Sequence, residues 1–197
     1  MGSSRRVLTI ALVCLSAFLL SSFAAAQRSD QVVAERVLGP QWKQISRRAG
    51  MIFAGTVLTT PASTAATART VPAVSPAIQL RFRVDQAIAG VERGQILTIH
   101  EWAGAWSMHR PMSKGQHILI FLYPPSRLGL TSPVGGALGQ VALDPSGKNV
   151  SKDAPRPAAT MGLRNAASAP PRVPIDAGSA SVVQLERAIR SARNEEE

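Results

Sequence analysis

The sequence predicts a mainly β fold, a small antiparallel barrel of about five strands with a flanking N-terminal helix and a C-terminal helix. Three observations carry that expectation. Ile78, Leu80, Phe82 and Val84 alternate with Gln79, Arg81, Arg83 and Asp85. Successive side chains of a strand point to opposite faces, so this stretch reads as a strand with one dry and one wet face. Ala89-Gly90-Val91-Glu92-Arg93-Gly94 then separates it from a second β-rich run, Gln95 to Trp102, and its two glycines suit a hairpin between antiparallel neighbours. Gln116 to Tyr123 is almost continuously apolar, the pattern of a strand buried on both faces.

Taken in order, residues 1–26 read as a secretory signal peptide. Arg5 and Arg6 supply a positive start, Val7 to Leu20 an apolar run, and Ala24-Ala25-Ala26 a small-residue cleavage site. The apolar run is shorter than the ~20 residues that a spanning helix needs, and no later stretch is long and apolar enough to cross a membrane. Cleavage after Ala26 removes Cys14, the only cysteine, so the mature chain has no disulfide, thiolate nucleophile or thiolate metal ligand.

Residues 27–50 form an N-terminal helical segment. Asp30 to Leu38 suits a helix with Val33 and Val37 on one face, and Gly39-Pro40 breaks it and starts another. Trp42, Ile45 and Ala49 share a face at helical spacing, which makes Trp42 a core anchor. Arg47 and Arg48 lie in the last turn, and Gly50 is a natural stop. The β domain spans 51–151. Met51 to Leu58 is its first strand, and Gly55 within it marks a bulge or bend. Residues 59–76 are rich in Thr, Ala, Pro and Ser and read as a disordered loop. After the hairpin come a loop from Ala103 to Gly115, the apolar strand, and Pro124-Pro125 as its stop. Gln140 to Leu143 is a short strand, and Asp144-Pro145-Ser146-Gly147 a turn that leads back through Asn149-Val150. Residues 152–178 form a Pro/Ala-rich linker. Residues 179–197 hold the C-terminal helix, with Ser181 and Gln184 as a capping box and Val182, Leu185 and Ile189 on its apolar face.

The chain carries 22 basic and 12 acidic residues, and loss of Arg5 and Arg6 with the leader leaves a mature net charge of +8. Such a balance favours anionic surfaces. One Tyr and five Phe, two of them in the leader, leave little for stacking bases. Nucleic acid is therefore set aside as a partner.

Phe53-x-Gly55-x-Val57, then Phe82-x-Val84 with Ala89-Gly90 and Gly94-Gln95-Ile96, then Gly115 and Leu119-Ile120-Phe121-Leu122, form a recurring pattern of strand cores and turn glycines. Over about Gln41 to Val150 the chain resembles the netrin-module/tissue-inhibitor-of-metalloproteinase-like domains of exported bacterial proteins. That resemblance implies an OB-type barrel and a tendency towards protein or matrix binding. The animal inhibitors of this type chelate a protease zinc through a mature N-terminal cysteine. The expected mature start here is Gln27 and no cysteine follows it, so that inhibitory mechanism does not carry over.

Candidate chemistry concentrates in His100-Glu101-Trp102, Trp106, His109 and His117, which include every histidine of the chain. Imidazoles with a carboxylate could hold zinc or copper, which makes a His-based metal-binding protein or metal-dependent enzyme the first alternative. Against it, His100 and Glu101 fall on opposite faces of a strand, and there is no H-E-x-x-H. No G-x-S-x-G elbow accompanies Ser107 and His109, and Asp85, Glu92, Glu101 and Asp144 are isolated in sequence. Gly135-Gly136-x-x-Gly139 lacks the Lys-Ser/Thr of a phosphate loop and reads as a turn. No catalytic, cofactor-binding or metal residues are assigned. Trp102, Trp106, His109 and Arg110 form a candidate partner-contact patch, because Trp and Arg are favoured at binding hot spots. Alternatively, the two tryptophans cap an open barrel end.

The expectation is thus an exported non-enzymatic β-barrel domain, periplasmic or secreted, without a cofactor, that binds a protein or an envelope polymer. Electrostatic binding of an anionic envelope polymer is the second alternative.

Overall fold

The structure, a computed structural model, describes residues 27–60, 77–106, 112–151 and 180–194. The expected leader, nearly all of the 59–76 loop and the 152–178 linker lie outside the described residues.

Two helices open the chain, α1 (27–38) and α2 (Trp42–Arg48). On α1 the buried positions are Asp30, Ala34 and Leu38, while Val33 and Val37 are only partly buried. Its apolar face is therefore turned by one residue from the one that the valines marked. Trp42, Ile45 and Ala49 are all buried. Trp42 is the core anchor its spacing predicts.

Five strands follow: β1 (Met51–Thr59), β2 (Ala77–Ala89), β3 (Ile96–Trp102), β4 (His117–Leu122) and β5 (Gln140–Ala142). They form one antiparallel sheet in the order β3-β2-β1-β4-β5. A four-residue helix, α3 (Ala103–Trp106), continues from β3. The last element is α4 (Val182–Asn194). The expected capping box is in place there: the Gln184 amide donates to Ser181 Oγ at 3.2 Å, and the Ser181 amide donates to Gln184 Oε1 at 3.1 Å.

The sheet is open. No ladder of strand pairs closes it into a barrel among the described residues. β3 meets the segment after β4 through one isolated bridge, His100 to Leu130, and Leu122 of β4 bridges to Pro133 of the same segment. The expectation of an antiparallel β fold with helices at both ends holds at that level.

Each face of the sheet has its own core. Phe53, Val57, Leu80, Phe82, Val84, Ile99, Ile118, Ile120 and Leu122 fill the inner face. Ile52, Ala54, Leu119, Phe121 and Val141 face the helices and pack with Trp42, Leu185 and Ile189. β1 and β4 contribute to both cores, so their sequences carry no alternation. β2 keeps its alternation, because Gln79, Arg81 and Arg83 lie beyond the helices and stay in water.

The C-terminal helix is part of this core. Arg193 Nη1 donates to the carbonyls of Ser46 and Ala49 at 2.7 Å each, and Arg47 Nε donates to the Ala192 carbonyl at 3.1 Å. The C-terminal ends of α2 and α4 thus cap one another, satisfying carbonyls that have no partner within their own helices. Arg187 also pairs with the buried Asp30 of α1 at 3.3 Å.

Gly55 sits at a register shift in the β1–β2 pairing, as its place inside a strand suggested. A Cβ there would lie 2.4 Å from the Arg83 carbonyl oxygen and 3.2 Å from the Phe53 ring. Neither neighbour yields cheaply, since one is backbone and Phe53 packs edge-on against Phe82 at 5.7 Å. Gly55→Ala is therefore expected to destabilise the domain by about 1–3 kcal/mol, read as a lower midpoint in urea unfolding.

Candidate functional site

The outer face of β2 does not end in open solvent. Where the helix layer stops, Thr56 of β1, Arg83 and Asp85 of β2, and His117 of β4 stand side by side, since Thr56 is the cross-strand partner of both Arg83 and His117. Thr56 Oγ1 donates to Asp85 Oδ2 at 2.7 Å, and Arg83 donates through Nε to Asp85 Oδ1 at 2.9 Å and through Nη2 to Thr56 Oγ1 at 3.2 Å. His117 Nδ1 lies 3.2 Å from Thr56 Oγ1 and 3.6 Å from Asp85 Oδ2. The only proton of the Thr56 hydroxyl is committed to Asp85, so a hydrogen bond to His117 requires the proton on Nδ1. Nε2 is then the nitrogen left without a partner among the described residues.

The 144–149 turn closes one side of this cluster. Asp144 accepts from the Ser146 hydroxyl at 2.7 Å, the Asn149 side chain at 3.0 Å and the Lys148 amide at 3.2 Å. The side-chain hydrogen bonds from Asn149 and Ser146 are the main reason that its carboxyl stays well below the usual carboxylate range. Gly147 runs past His117 so closely that a Cβ would sit 2.9 Å from Nδ1, and its φ of +68° is one that L side chains rarely adopt.

The first turns of α4 close the other side. Together these elements bound a groove of about 900 Å³, lined among others by Arg83, Asp85, Arg93, His117, Lys148 and Glu186. Its two carboxylates are already engaged. Asp85 is held by Arg83 and Thr56. Glu186 pairs with Arg190 at 2.8 Å and takes a hydrogen bond from the Gln86 amide. Arg93 and Lys148, by contrast, are exposed and their side chains have no partner among the described residues. The net field in the groove is positive, with the free cations placed on two separate turns.

The residues singled out from sequence are distributed otherwise. His100 is exposed and Glu101 fully buried, on opposite faces of β3 as alternation requires. His100 pairs with Gln79, whereas His117 lies level with Arg83. Four residue positions along β2 separate those levels, about 13 Å at strand rise, too far for one ion. No three metal-ligating side chains cluster among the described residues. Trp102 is 54% exposed and its ring lies over Gly104, while Trp106 is partly buried against the inner core. His109 and Arg110, the other half of that patch, lie outside the described residues.

No local pattern announces the groove. Arg83, Arg93, Lys148 and Glu186 span more than half the chain, and only the lateral pairing of Arg83 with Asp85 is readable from their spacing.

Compared with protein-family models, curated proteins and solved structures, the chain matches none. Its functional reading therefore rests on the geometry.

A second ionisable group behaves differently. Glu101 is 0% exposed, and burial pushes its carboxyl from 4.5 up to about 7. Between those values the folded state keeps a proton that the unfolded chain releases, so stability falls as pH rises and levels off above 7. The loss is about 3 kcal/mol in all. Urea unfolding of the wild type at pH 4.5 and pH 8 should show it, and Glu101→Gln should remove most of that slope.

Proposed function

We propose that the mature chain is an exported, non-enzymatic β domain that binds a protein or an anionic envelope polymer, and that the groove between β2, β4, the 144–149 turn and α4 is its contact site. The observation that carries this reading is the asymmetry of its charges. The groove's carboxylates are tied to Arg83, Thr56, Gln86 and Arg190, while Arg93 and Lys148 are left for a ligand. A positive concave surface raises the local concentration of anions and speeds their capture.

The mature charge of +8 and the signal-peptide pattern at Ala24-Ala25-Ala26 support export to a compartment of anionic surfaces. The resemblance to netrin-module/tissue-inhibitor-like domains, and the single bridges from His100 to Leu130 and from Leu122 to Pro133, support a curled, partly closed OB-type barrel. In that family resemblance the surviving property is binding, since the zinc-chelating cysteine has no counterpart here. The side chains of the groove offer charge and hydrogen bonding.

Secretion of the full chain by an export-competent host should yield a protein whose N-terminus is Gln27, as read by intact mass. Protein retaining residues 1–26 would count against export by this route.

On an immobilised polyanion such as heparin, the mature chain should be retained at low salt and elute as salt screens the contact. Arg93→Glu combined with Lys148→Glu should lower the eluting salt concentration markedly, more than the same charge change at the exposed Arg36 and Arg48 of the N-terminal helices. Equal effects at both pairs would mean that net charge alone is responsible and would remove the groove from the reading.

A further inference from the structure

Building on that reading, we propose that the occupant of the groove is an acidic peptide segment of a partner protein, with carboxylates spaced to meet Arg93 and Lys148 and an aliphatic side chain against α4.

Three features of the groove carry this. The first is its charge. Every acidic side chain that lines it is neutralised from within the chain, so an incoming carboxylate meets cations and no competing free acid. The two cations sit on separate turns. Arg93 belongs to the β2–β3 hairpin and Lys148 to the 144–149 turn, so a ligand that engages both contacts two separate elements of the groove.

The second feature is the composition of the walls. Among the described residues the His117 imidazole is the only ring that lines the groove. Nucleobases are held chiefly by stacking on aromatic faces, and sugar rings likewise gain from an aromatic platform with a polar handle. This groove offers neither kind of platform. Val183 offers something else. It is an aliphatic residue 54% exposed at the start of α4 that lines the groove with Ala87. Here an apolar contact is interleaved with cations. Peptides carry that mixture of carboxylate and aliphatic groups within a few residues, whereas a uniformly charged glycan does not.

The third feature is rigidity. The walls are pinned before any ligand arrives. Asp144 ties its turn together with four donors, from Ser146, Lys148 and both nitrogens of Asn149. Ser181 and Gln184 cap α4, and the Thr56–Arg83–Asp85–His117 cluster holds the floor. A preformed site loses little entropy on binding a short segment. His117 adds a further group: with Nδ1 turned to Thr56, its Nε2 is available to a ligand oxygen or backbone group.

The test uses the mature chain and two probes of matched charge, read by fluorescence anisotropy at low salt. One is a labelled peptide of about 12 residues, ~40 Å when extended, that alternates Glu with Leu and Val. The other is a size-matched labelled heparin oligosaccharide. The expected result is saturable peptide binding that weakens tenfold or more with Arg93→Glu plus Lys148→Glu. It should weaken several-fold with Val183→Ser, and that variant should leave heparin binding unchanged. Val183 is an exposed side chain, so its replacement spares the fold, and circular dichroism of each variant confirms this. Heparin binding that exceeds peptide binding, together with indifference to Val183→Ser, overturns the peptide assignment and leaves the anionic-polymer reading standing. Failure of both probes to bind, with the fold intact, overturns the assignment and the proposed function together.

Discussion

The fold depends on the double burial of β1. This strand is paired along both edges, with β2 on one side and β4 on the other, and it is packed on both faces. Its odd side chains enter the inner core with Phe82 and Ile120, and Ile52 and Ala54 face the helices. No backbone group of a strand so enclosed can turn to water, so its amides and carbonyls must be satisfied by ladder partners. Gly55 is the concession this requires. The backbone of β2 comes so close there that a side chain has no room, and the register shift at that point lets the longer β2 bend around the core. Met51 to Thr59 therefore sets the position of both layers.

The two layers have separate consequences. The inner core gathers the bulky aromatic and aliphatic residues of four strands and also encloses Glu101, whose ionisation makes stability depend on pH. The helix layer covers only part of the other face. Helices α2 and α4 meet there and cap each other through Arg47 and Arg193, so elements from opposite ends of the described chain stabilise one unit. The groove exists because this layer stops short. Its floor is the uncovered margin of the sheet, its wall the start of α4, and its charges come from residues that would otherwise be plain surface.

Much of the fold is legible in the chain itself. The strands at Met51–Thr59, Ile78–Ala89, Ile96–Trp102 and His117–Leu122 announce themselves by β-branched and aromatic content and by turn glycines, and the capping box at Ser181 announces α4. These are local signals, carried by neighbours in sequence. The candidate site is far less legible. Its residues are single charged positions on four elements, and a lone Arg93 or Lys148 looks like any solvated side chain. The histidines stand out instead, and they share a residue type but not a place: His100 and His117 lie at different levels of the sheet. The loop around Trp106 stands out for a similar reason, an unusual local composition.

By itself the sequence determined the order of the five strands and the longer helices, the two-sided burial of β4, the wet face of β2, the bend at Gly55 and the basic character of the chain; the short helix α3, in a stretch that reads as loop, it did not announce. Periodicity, propensity and charge are properties of short stretches, so a single chain displays them. The tertiary structure alone decided that α4 returns to cap α2, that the sheet stays open, that Glu101 is enclosed, and that Arg83, Arg93, His117, Lys148 and Glu186 meet at one groove. Those outcomes rest on contacts between residues tens to more than a hundred positions apart. Such contacts form only when packing of the two cores brings the elements together, and no local pattern encodes them.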